Sequence, residues 1–259
     1  PPHAFARNLD VIAHEVGHLI VHSVVGLARD QAPGELSGFH EAAADFVALL
    51  VSARLDPVID QVLRATRGNL YVANELNRLG ELSDSTQIRL ASNGVKMSEF
   101  ALGWSNEHDL SEPLAGALFD LLVDVYEAAL VERGLIPRSL ADRVAEVGHL
   151  RAFAPMLQAE FNQYYPRDPL GFRAAFLDAR DRVGFYFAHA LAALTPDGLT
   201  YSEVERALLQ ADAVIGGGRF AGEIRDNFAW REIGRVPLGP YLGGLRGTVM
   251  LRPGRVLRP

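Results

Sequence analysis

The stretch LDVIAHEVGHLIVHSVVG, residues 9–26, predicts the first helix of the fold and carries its main chemical motif. Its apolar residues recur at the three- and four-residue spacing of a helix. His14 and His18 are four positions apart, so they lie one above the other on the same helix face. Both imidazoles can therefore reach a single metal ion, and Glu15 can contact a water on that ion without binding it. Three fixed residues in five also arise by chance in ordinary helices, so the motif needs a third ligand.

Glu41 is the best candidate for that third ligand. It lies in the run GFHEAAADF, residues 38–46, at the start of a second helix expected over residues 39–55. This helix can turn back antiparallel against the first and direct Glu41 at the metal. Asp45 follows one turn later on the same face, where it can accept the N–H of a ligating imidazole and fix its tautomer. Two histidines and a carboxylate are a common ligand set in zinc hydrolases.

These residues together resemble the gluzincins, the thermolysin-like and fungalysin-like zinc metalloproteases. That family has HExxH, a spacer of about this length, and a glutamate ligand followed within one turn by an aspartate, a pattern matched by His14, Glu15, His18, Glu41 and Asp45. The resemblance implies that Zn²⁺ is bound by the two histidines and Glu41, that Glu15 is the general base, and that Asp45 supports a ligand. It also implies a protein or peptide substrate and a secreted or extracytoplasmic location.

The run NEHDLSEPLAGALFDLL, residues 106–122, resembles the family segment in which a histidine precedes a long helix. In the family this histidine hydrogen-bonds the oxyanion of the tetrahedral intermediate, and the resemblance implies the same role for His108. A donor imidazole opposite the metal stabilises charge that develops only in the transition state. Glu107 or Asp109 is expected to orient it, and the sequence does not choose between them. Residues 201–234 also resemble the closing helices of fungalysin-like domains.

The chain departs from the family pattern in two respects. Thermolysin-like enzymes carry an oxyanion-donating tyrosine between the second histidine and the glutamate, but residues 26–39 contain none. Either His108 works alone or another donor substitutes, with Tyr71, Tyr126, Tyr164 and Tyr165 among the candidates. Those enzymes also place a β-rich subdomain before the zinc helix, which is absent from the few residues that precede Leu9 here. The missing half is removed, is supplied by another chain, or is replaced by another way of holding substrate.

The remaining sequence predicts a mainly α fold with little β structure: a thermolysin-like helical domain over residues 1–235 and an irregular C-terminal arm over residues 236–259. A long helix is expected from an N-cap at Ser111 to Gly134, after a loop at residues 100–109. Loops are also predicted at residues 28–38 and 80–97, the latter with a short helix at 86–91. Further helices are predicted within residues 58–79 and 139–161, and over residues 169–194, 200–213 and 219–230.

The composition is that of an ordinary globular protein, with 49% hydrophobic residues and a net charge of −7 spread along the chain. This charge does not suggest nucleic-acid binding. The absence of cysteine excludes disulfides, thiolate zinc ligands and a cysteine nucleophile. No apolar run reaches the length of a membrane span, and no signal peptide opens the chain. Because residue 1 is proline rather than methionine, we expect a processing site or further sequence before it.

Three other histidines, His22, His40 and His189, are assigned outside the metal site. The metzincin spacing would need a third histidine at Val24, so that interpretation fails and His22 is taken as structural. His40 should point away from a metal that Glu41 binds, and His189, in an apolar helix, is expected in the core. For Asp10 the alternatives are a partner of His14, a structural Ca²⁺ ligand as in relatives, or a first-turn acid, and we favour the last.

The sequence therefore supports two hypotheses of different classes. The first is a zinc-dependent endopeptidase of gluzincin type. The second is a non-catalytic zinc-binding or interaction domain that keeps the helical scaffold of a protease.

Overall fold

The computed structural model describes residues 9–27, 34–79, 89–147 and 154–243, and within these ranges the chain is mainly helical, as predicted. The helices are α1 (Leu9–Val24), α2 (Glu35–Ser52), α3 (Asp56–Thr66), α4 (Glu107–Glu132), α5 (Arg138–Val147), α6 (Ala154–Tyr164), α7 (Pro169–Ala193), α8 (Tyr201–Ala211) and α9 (Ala221–Trp230). The β structure of the described ranges is one antiparallel pair, β1 (Arg78–Leu79) with β2 (Arg89–Leu90), and a bridge between Trp104 and Tyr241. None of these helices is long and apolar enough to cross a membrane.

Helix α4 is the centre of the core. It is buried on almost every side from Leu110 to Leu130, and it packs against α2, α7 and α9. A helix that is apolar all round is stable only when other helices cover it, which is the position that α4 occupies. Helix α2 therefore has one face on α4 and another on α1, so the metal motif lies in the outer layer of the fold.

Helices α1 and α2 approach each other closely because small residues meet at their crossing. A Cβ atom added at Gly17 would lie 2.8 Å from the Cα atom of Ala44. The buried face of α1 is correspondingly small, consisting of Ala13, Gly17 and Val21. This separation brings side chains of the two helices to a common centre.

The opposite face of α1 is apolar and exposed. Six large side chains follow one another along it with exposed fractions between 39% and 66%: Leu9, Ile12, Val16, Leu19, Ile20 and Val24. The apolar periodicity that predicts α1 therefore marks mainly the outer face of the helix. The inner face is marked instead by small residues, which periodicity counts weakly.

Two helices begin earlier than the sequence predicts. Helix α2 begins at Glu35, whose carboxylate accepts a hydrogen bond of 2.6 Å from the backbone N–H of Tyr201. Gly38, predicted in a loop, is inside α2, and a Cβ atom there would lie 2.1 Å from the Tyr201 hydroxyl. Glycine fits at this point because the Tyr201 side chain of α8 occupies the space that another residue's side chain would need.

Helix α4 begins at Glu107, so the prediction of an N-cap at Ser111 is wrong. The cap is Asn106, whose side chain accepts from the backbone N–H of His108 at 2.9 Å. Pro113 lies inside the helix, and the Ser111 hydroxyl donates to the His108 carbonyl at 2.7 Å. His108 is thus in the first turn of a helix rather than in a loop.

The other differences are smaller. Within the segment 58–79, residues 67–77 form turns and bends after α3 rather than a further helix, and a short 3₁₀ helix, Met97–Phe100, lies where the predicted loops meet. Arg89 and Leu90, predicted in a short helix at 86–91, form β2 instead, and Ala91 is also non-helical, while residues 86–88 and the loop tip at 28–33 lie outside the described residues. Helix α2 ends at Ser52 rather than Leu55, since Pro57 belongs to the first turn of α3. Of the predicted C-terminal arm, residues 236–243 are described and contain no helix.

Candidate metal centre

Three predicted ligands meet between α1 and α2. The Nε2 atoms of His14 and His18 are 3.1 Å apart. The carboxylate of Glu41 faces both rings, with Oε2 at 3.4 Å from His14 Nε2 and Oε1 at 3.5 Å from His18 Nε2. Among the described residues, these three form the one group of histidine, aspartate or glutamate side chains close enough to surround an ion.

The spacing of these donor atoms fits a tetrahedral zinc ion. For bonds of about 2.0–2.1 Å, two ligand atoms of a tetrahedron lie roughly 3.3–3.4 Å apart. The two imidazole nitrogens, 3.1 Å apart, are close to that value, and each lies 3.4–3.5 Å from a different oxygen of the Glu41 carboxylate. The side chains of His14, His18 and Glu41, called the cluster below, are 12–21% exposed, so the cluster is shielded but reachable from solvent. Two imidazoles and one carboxylate leave the fourth position of a tetrahedron for a water or substrate.

Asp45 lies behind His14, as predicted. Its Oδ1 atom is 2.7 Å from His14 Nδ1, and the side chain is almost fully buried. An acceptor at Nδ1 favours the tautomer that carries its proton there, which leaves Nε2 as a lone-pair donor towards the cluster. The antiparallel course of α1 and α2 explains why one turn of α2 supplies both Glu41 and Asp45.

The protonation states of the cluster suit metal binding. Burial lowers the pKa of His18, and the nearby His14 lowers it further against the opposing effect of Glu41. Burial would raise the pKa of Glu41, but the neighbouring imidazoles of His14, His108 and His18 outweigh burial, so this pKa lies below its ordinary value. At neutral pH the centre therefore offers a neutral imidazole and an ionised carboxylate, which are the ligating forms.

His108 reaches the same cluster from α4. Its Nδ1 atom is 2.7 Å from Glu41 Oε2, and its side chain is 43% exposed. The sequence alone suggested Glu107 or Asp109 as its carboxylate partner, whereas the carboxylate found at Nδ1 is that of Glu41. This contact links the first turn of α4 to the third candidate ligand.

Glu15 lies on the solvent side of the histidine pair. Its side chain is exposed, and its charge acts on His18 strongly enough to influence the pKa of that imidazole. Within the described part of the chain, no hydrogen-bond partner is found for its carboxylate.

Asp10 and the other described histidines, His22, His40 and His189, lie outside the cluster. The rings of His22 and His40 pack against each other with centroids 4.6 Å apart, and burial lowers the pKa of His40 to about 4, with smaller effects of His22 and His18. His189, expected in the core, is half-buried. Asp10 is in the first turn of α1. The described residues provide no second group of three donors at Asp10, so calcium stays a prediction without structural support.

The tyrosines suggested as oxyanion donors have contacts elsewhere. Tyr71 donates to Asp120, and Tyr126 packs on Phe176 in the core. The Tyr164 and Tyr165 rings lie under the guanidinium groups of Arg167 and Arg67. None of these contacts involves a residue of the cluster.

The sequence did not reveal that Tyr201 supports the centre from a distance. Its hydroxyl donates to the carbonyl of Leu110 at 2.8 Å, in the space left by Gly38. Gly38 is three residues before Glu41, and Leu110 is two residues after His108. The junction of α2, α4 and α8 therefore fixes the helix starts that carry these two side chains. The one sign of this junction in the sequence is the position of Gly38 directly before a run with helical periodicity.

Comparison of the chain with family models, with curated proteins and with solved structures finds no match. Interpretation of the centre consequently rests on its residues and their geometry.

Proposed function

We propose that this chain hydrolyses peptide bonds with a zinc ion held by His14, His18 and Glu41, in the manner of a gluzincin endopeptidase. The observation that carries the proposal is the convergence of these three side chains within reach of one ion, with the charge of Glu15 acting on His18. A bound zinc ion would act as a Lewis acid and lower the pKa of a water in its open position.

The protein's own residues have separate roles in this reaction. Glu15 accepts the proton of the attacking water and later delivers it to the leaving amine. Asp45 keeps the His14 imidazole oriented through Nδ1. In the imidazolium form both nitrogens of His108 donate, so this side chain can hold Glu41 through Nδ1 and donate to the developing oxyanion through Nε2.

The test is Glu15→Gln, which keeps the shape of the side chain and removes its basicity. We expect one equivalent of zinc to remain bound, measured by elemental analysis. Hydrolysis of a casein-type substrate should fall by about 10²–10⁴-fold, the usual contribution of a positioned general base. Glu146→Gln, at an exposed position of α5, is the matched control and should cleave at the parental rate. Parental activity in Glu15→Gln would contradict the mechanism.

A second candidate is a non-catalytic zinc-binding domain, which is favoured by the lack of contact between the suggested tyrosines and the cluster. A peptide-hydrolysis assay with and without a chelator separates the two functions. Chelator-sensitive cleavage supports the peptidase. One bound zinc without turnover of any protein substrate supports the second candidate.

A further inference from the structure

The C-terminal residues Gly239–Leu242, called the strap below, run beside the loop that leads into α4. The backbone N–H of Gly239 donates to the Phe100 carbonyl at 3.0 Å, and that of Trp104 donates to the Pro240 carbonyl at 3.1 Å. The N–H of Leu242 returns to the Trp104 carbonyl at 2.7 Å. Trp104 and Tyr241 thus form a parallel β-bridge. Both the backbone N–H and the carbonyl of Trp104 are therefore hydrogen-bonded to the strap.

Two glycines allow this close approach. A Cβ atom at Gly239 would lie 2.5 Å from the backbone nitrogen of Gly103 and 2.6 Å from the Ala101 carbonyl oxygen. Gly103 itself has a φ of +141°, a conformation that other L-residues rarely adopt, and a Cβ atom there would lie 2.5 Å from Leu242 Cδ1. The strap and the loop therefore fit each other without room for side chains between them.

The loop that the strap holds ends at the first turn of α4. Trp104 is 5% exposed, packs against Tyr241 with ring centroids 4.7 Å apart, and belongs to a small apolar cluster with Phe100 and Leu110. Only one residue separates Trp104 from the N-cap Asn106, which accepts from the backbone N–H of His108. The segment that carries His108 is therefore held on both sides. Before His108, Trp104 is hydrogen-bonded to the strap, and after it the Leu110 carbonyl accepts a hydrogen bond from the Tyr201 hydroxyl.

We infer that the strap positions His108 against Glu41, with Tyr241 and Gly239 as positioning residues. Without the strap, the loop before Asn106 loses three backbone hydrogen bonds and its apolar cover, and the first turn of α4 frays. The Nδ1 contact of His108 with Glu41 is then lost, while the histidine pair on α1 keeps its place. The consequence for catalysis rests on the proposed function, but the contact itself does not.

The test uses Gly239→Ala, with Gly222→Ala as the matched control. The added methyl meets backbone atoms in the first variant, whereas the space around Gly222 in α9 is open. The readout independent of activity is the ¹⁵N spectrum of the histidine ring nitrogens in the zinc-loaded protein, with His108 assigned by its absence in His108→Ala. We expect the His108 signals to shift or broaden in Gly239→Ala, the His189 signals to stay, and neither to change in Gly222→Ala.

Kinetics give the second readout. We expect Gly239→Ala to lower kcat about 10-fold with little change of KM, because a small misplacement of a catalytic group acts on the transition state. In the His108→Ala background the same change should alter kcat less than about two-fold, since residues that act through one another are not additive. Tyr241→Ala removes the ring contact without adding atoms and should move both readouts in the same direction.

Unchanged His108 signals in both Gly239→Ala and Tyr241→Ala would overturn the inference. So would a full additional loss of kcat in the His108→Ala background. If the parent hydrolyses no peptide but the His108 signals change in the strap variants, the proposed function is wrong while the inference that the strap positions His108 is supported.

Discussion

At the scale of single residues, the centre depends on how His14 is held. One ring nitrogen meets Asp45 at 2.7 Å and the other faces His18 and Glu41. A buried carboxylate needs a partner, and here the partner is the imidazole that it orients. Asp45 thus favours the His14 tautomer whose Nε2 lone pair faces His18 and Glu41.

We predict that Asp45→Asn weakens zinc binding by about 10–100-fold, because an amide accepts the Nδ1 proton less strongly than a carboxylate and gives the ring less basicity. Competition with a chromophoric chelator at pH 7 measures the change. Asp178→Asn, at a surface position that pairs with Arg133, is the control and should bind zinc as the parent does. Equal zinc affinity in Asp45→Asn and the parent would show that Asp45 only fills space.

At the scale of elements, the crossing of α1 and α2 sets the distance between the histidine pair and Glu41. Gly17 lies between His14 and His18 on the face that meets Ala44. Protein interiors are closely packed, so an extra methyl group at this point cannot be absorbed by a neighbouring side chain. The atom that it would meet belongs to the backbone of α2.

Gly17→Ala should therefore push α1 away from α2. We expect a loss of about 1–3 kcal/mol in the free energy of unfolding, the usual cost of overpacking, together with zinc affinity at least about 10-fold lower. Urea unfolding and chelator competition measure the two quantities. The same substitution at Gly222 has open space and should be neutral or stabilise α9 by up to about 1 kcal/mol. If Gly17→Ala behaved like Gly222→Ala, the close crossing would be wrong.

At the scale of the whole molecule, a buried arginine joins distant parts of the chain. Arg231 is fully buried at the end of α9. Its guanidinium donates to Asp120 on α4 at 2.7 Å and 3.3 Å, and to the side chain and carbonyl of Asn93 at 3.0 Å and 2.9 Å. It also donates to the Val95 carbonyl at 3.2 Å. One side chain thus fixes α9 and the loop that begins at Asn93 onto the central helix.

We predict that Arg231→Met destabilises the protein by about 3–5 kcal/mol, because it leaves the Asp120 carboxylate buried without its cation. Thermal and urea unfolding measure the loss. Arg225→Met, at an exposed position of α9, should change the free energy of unfolding by less than about 0.5 kcal/mol. A loss of similar size in both variants would argue that Arg231 contributes only helix packing.

Asp124, one turn after Asp120 in α4, makes the stability of the protein depend on pH. Burial raises the pKa of Asp124 from 3.8 to about 7, with the hydrogen bond from Asn227 opposing and the charge of Asp120 adding to the rise. The folded state therefore holds this proton more tightly than the unfolded chain. The stability linked to it is fully present below about pH 4 and is lost as pH rises through 7.

Asp124→Asn should flatten this dependence, since the amide keeps an acceptor for Asn227 and carries no charge. We expect the variant to gain about 1–2 kcal/mol on the parent between pH 5 and pH 8, allowing for the partial exposure of the side chain. Unfolding in urea at pH 5 and at pH 8 measures this gain in the free energy of unfolding. Taking the difference from the parent removes the contribution of titrating groups that the substitution does not affect. An equal pH dependence in both proteins would show that Asp124 is ionised throughout.

The sequence by itself determined the features that depend on neighbours along the chain. Helical periodicity fixed the fold class and most helices, and the Thr200–Glu203 capping box opens α8 as predicted. The four-residue spacing of His14 and His18 placed two donors on one face, and the second helix added Glu41 and Asp45. Such features can be derived from the sequence because a helix relates residues only a few positions apart.

Only the tertiary structure decided the features that join distant segments. Tyr201 packs on Gly38 of α2, and the carboxylate of Glu41 lies at Nδ1 of His108. The strap reaches the loop before α4 from more than a hundred residues away. No local propensity encodes such contacts, because their free energy comes from burial and hydrogen bonds that exist only after the chain has folded.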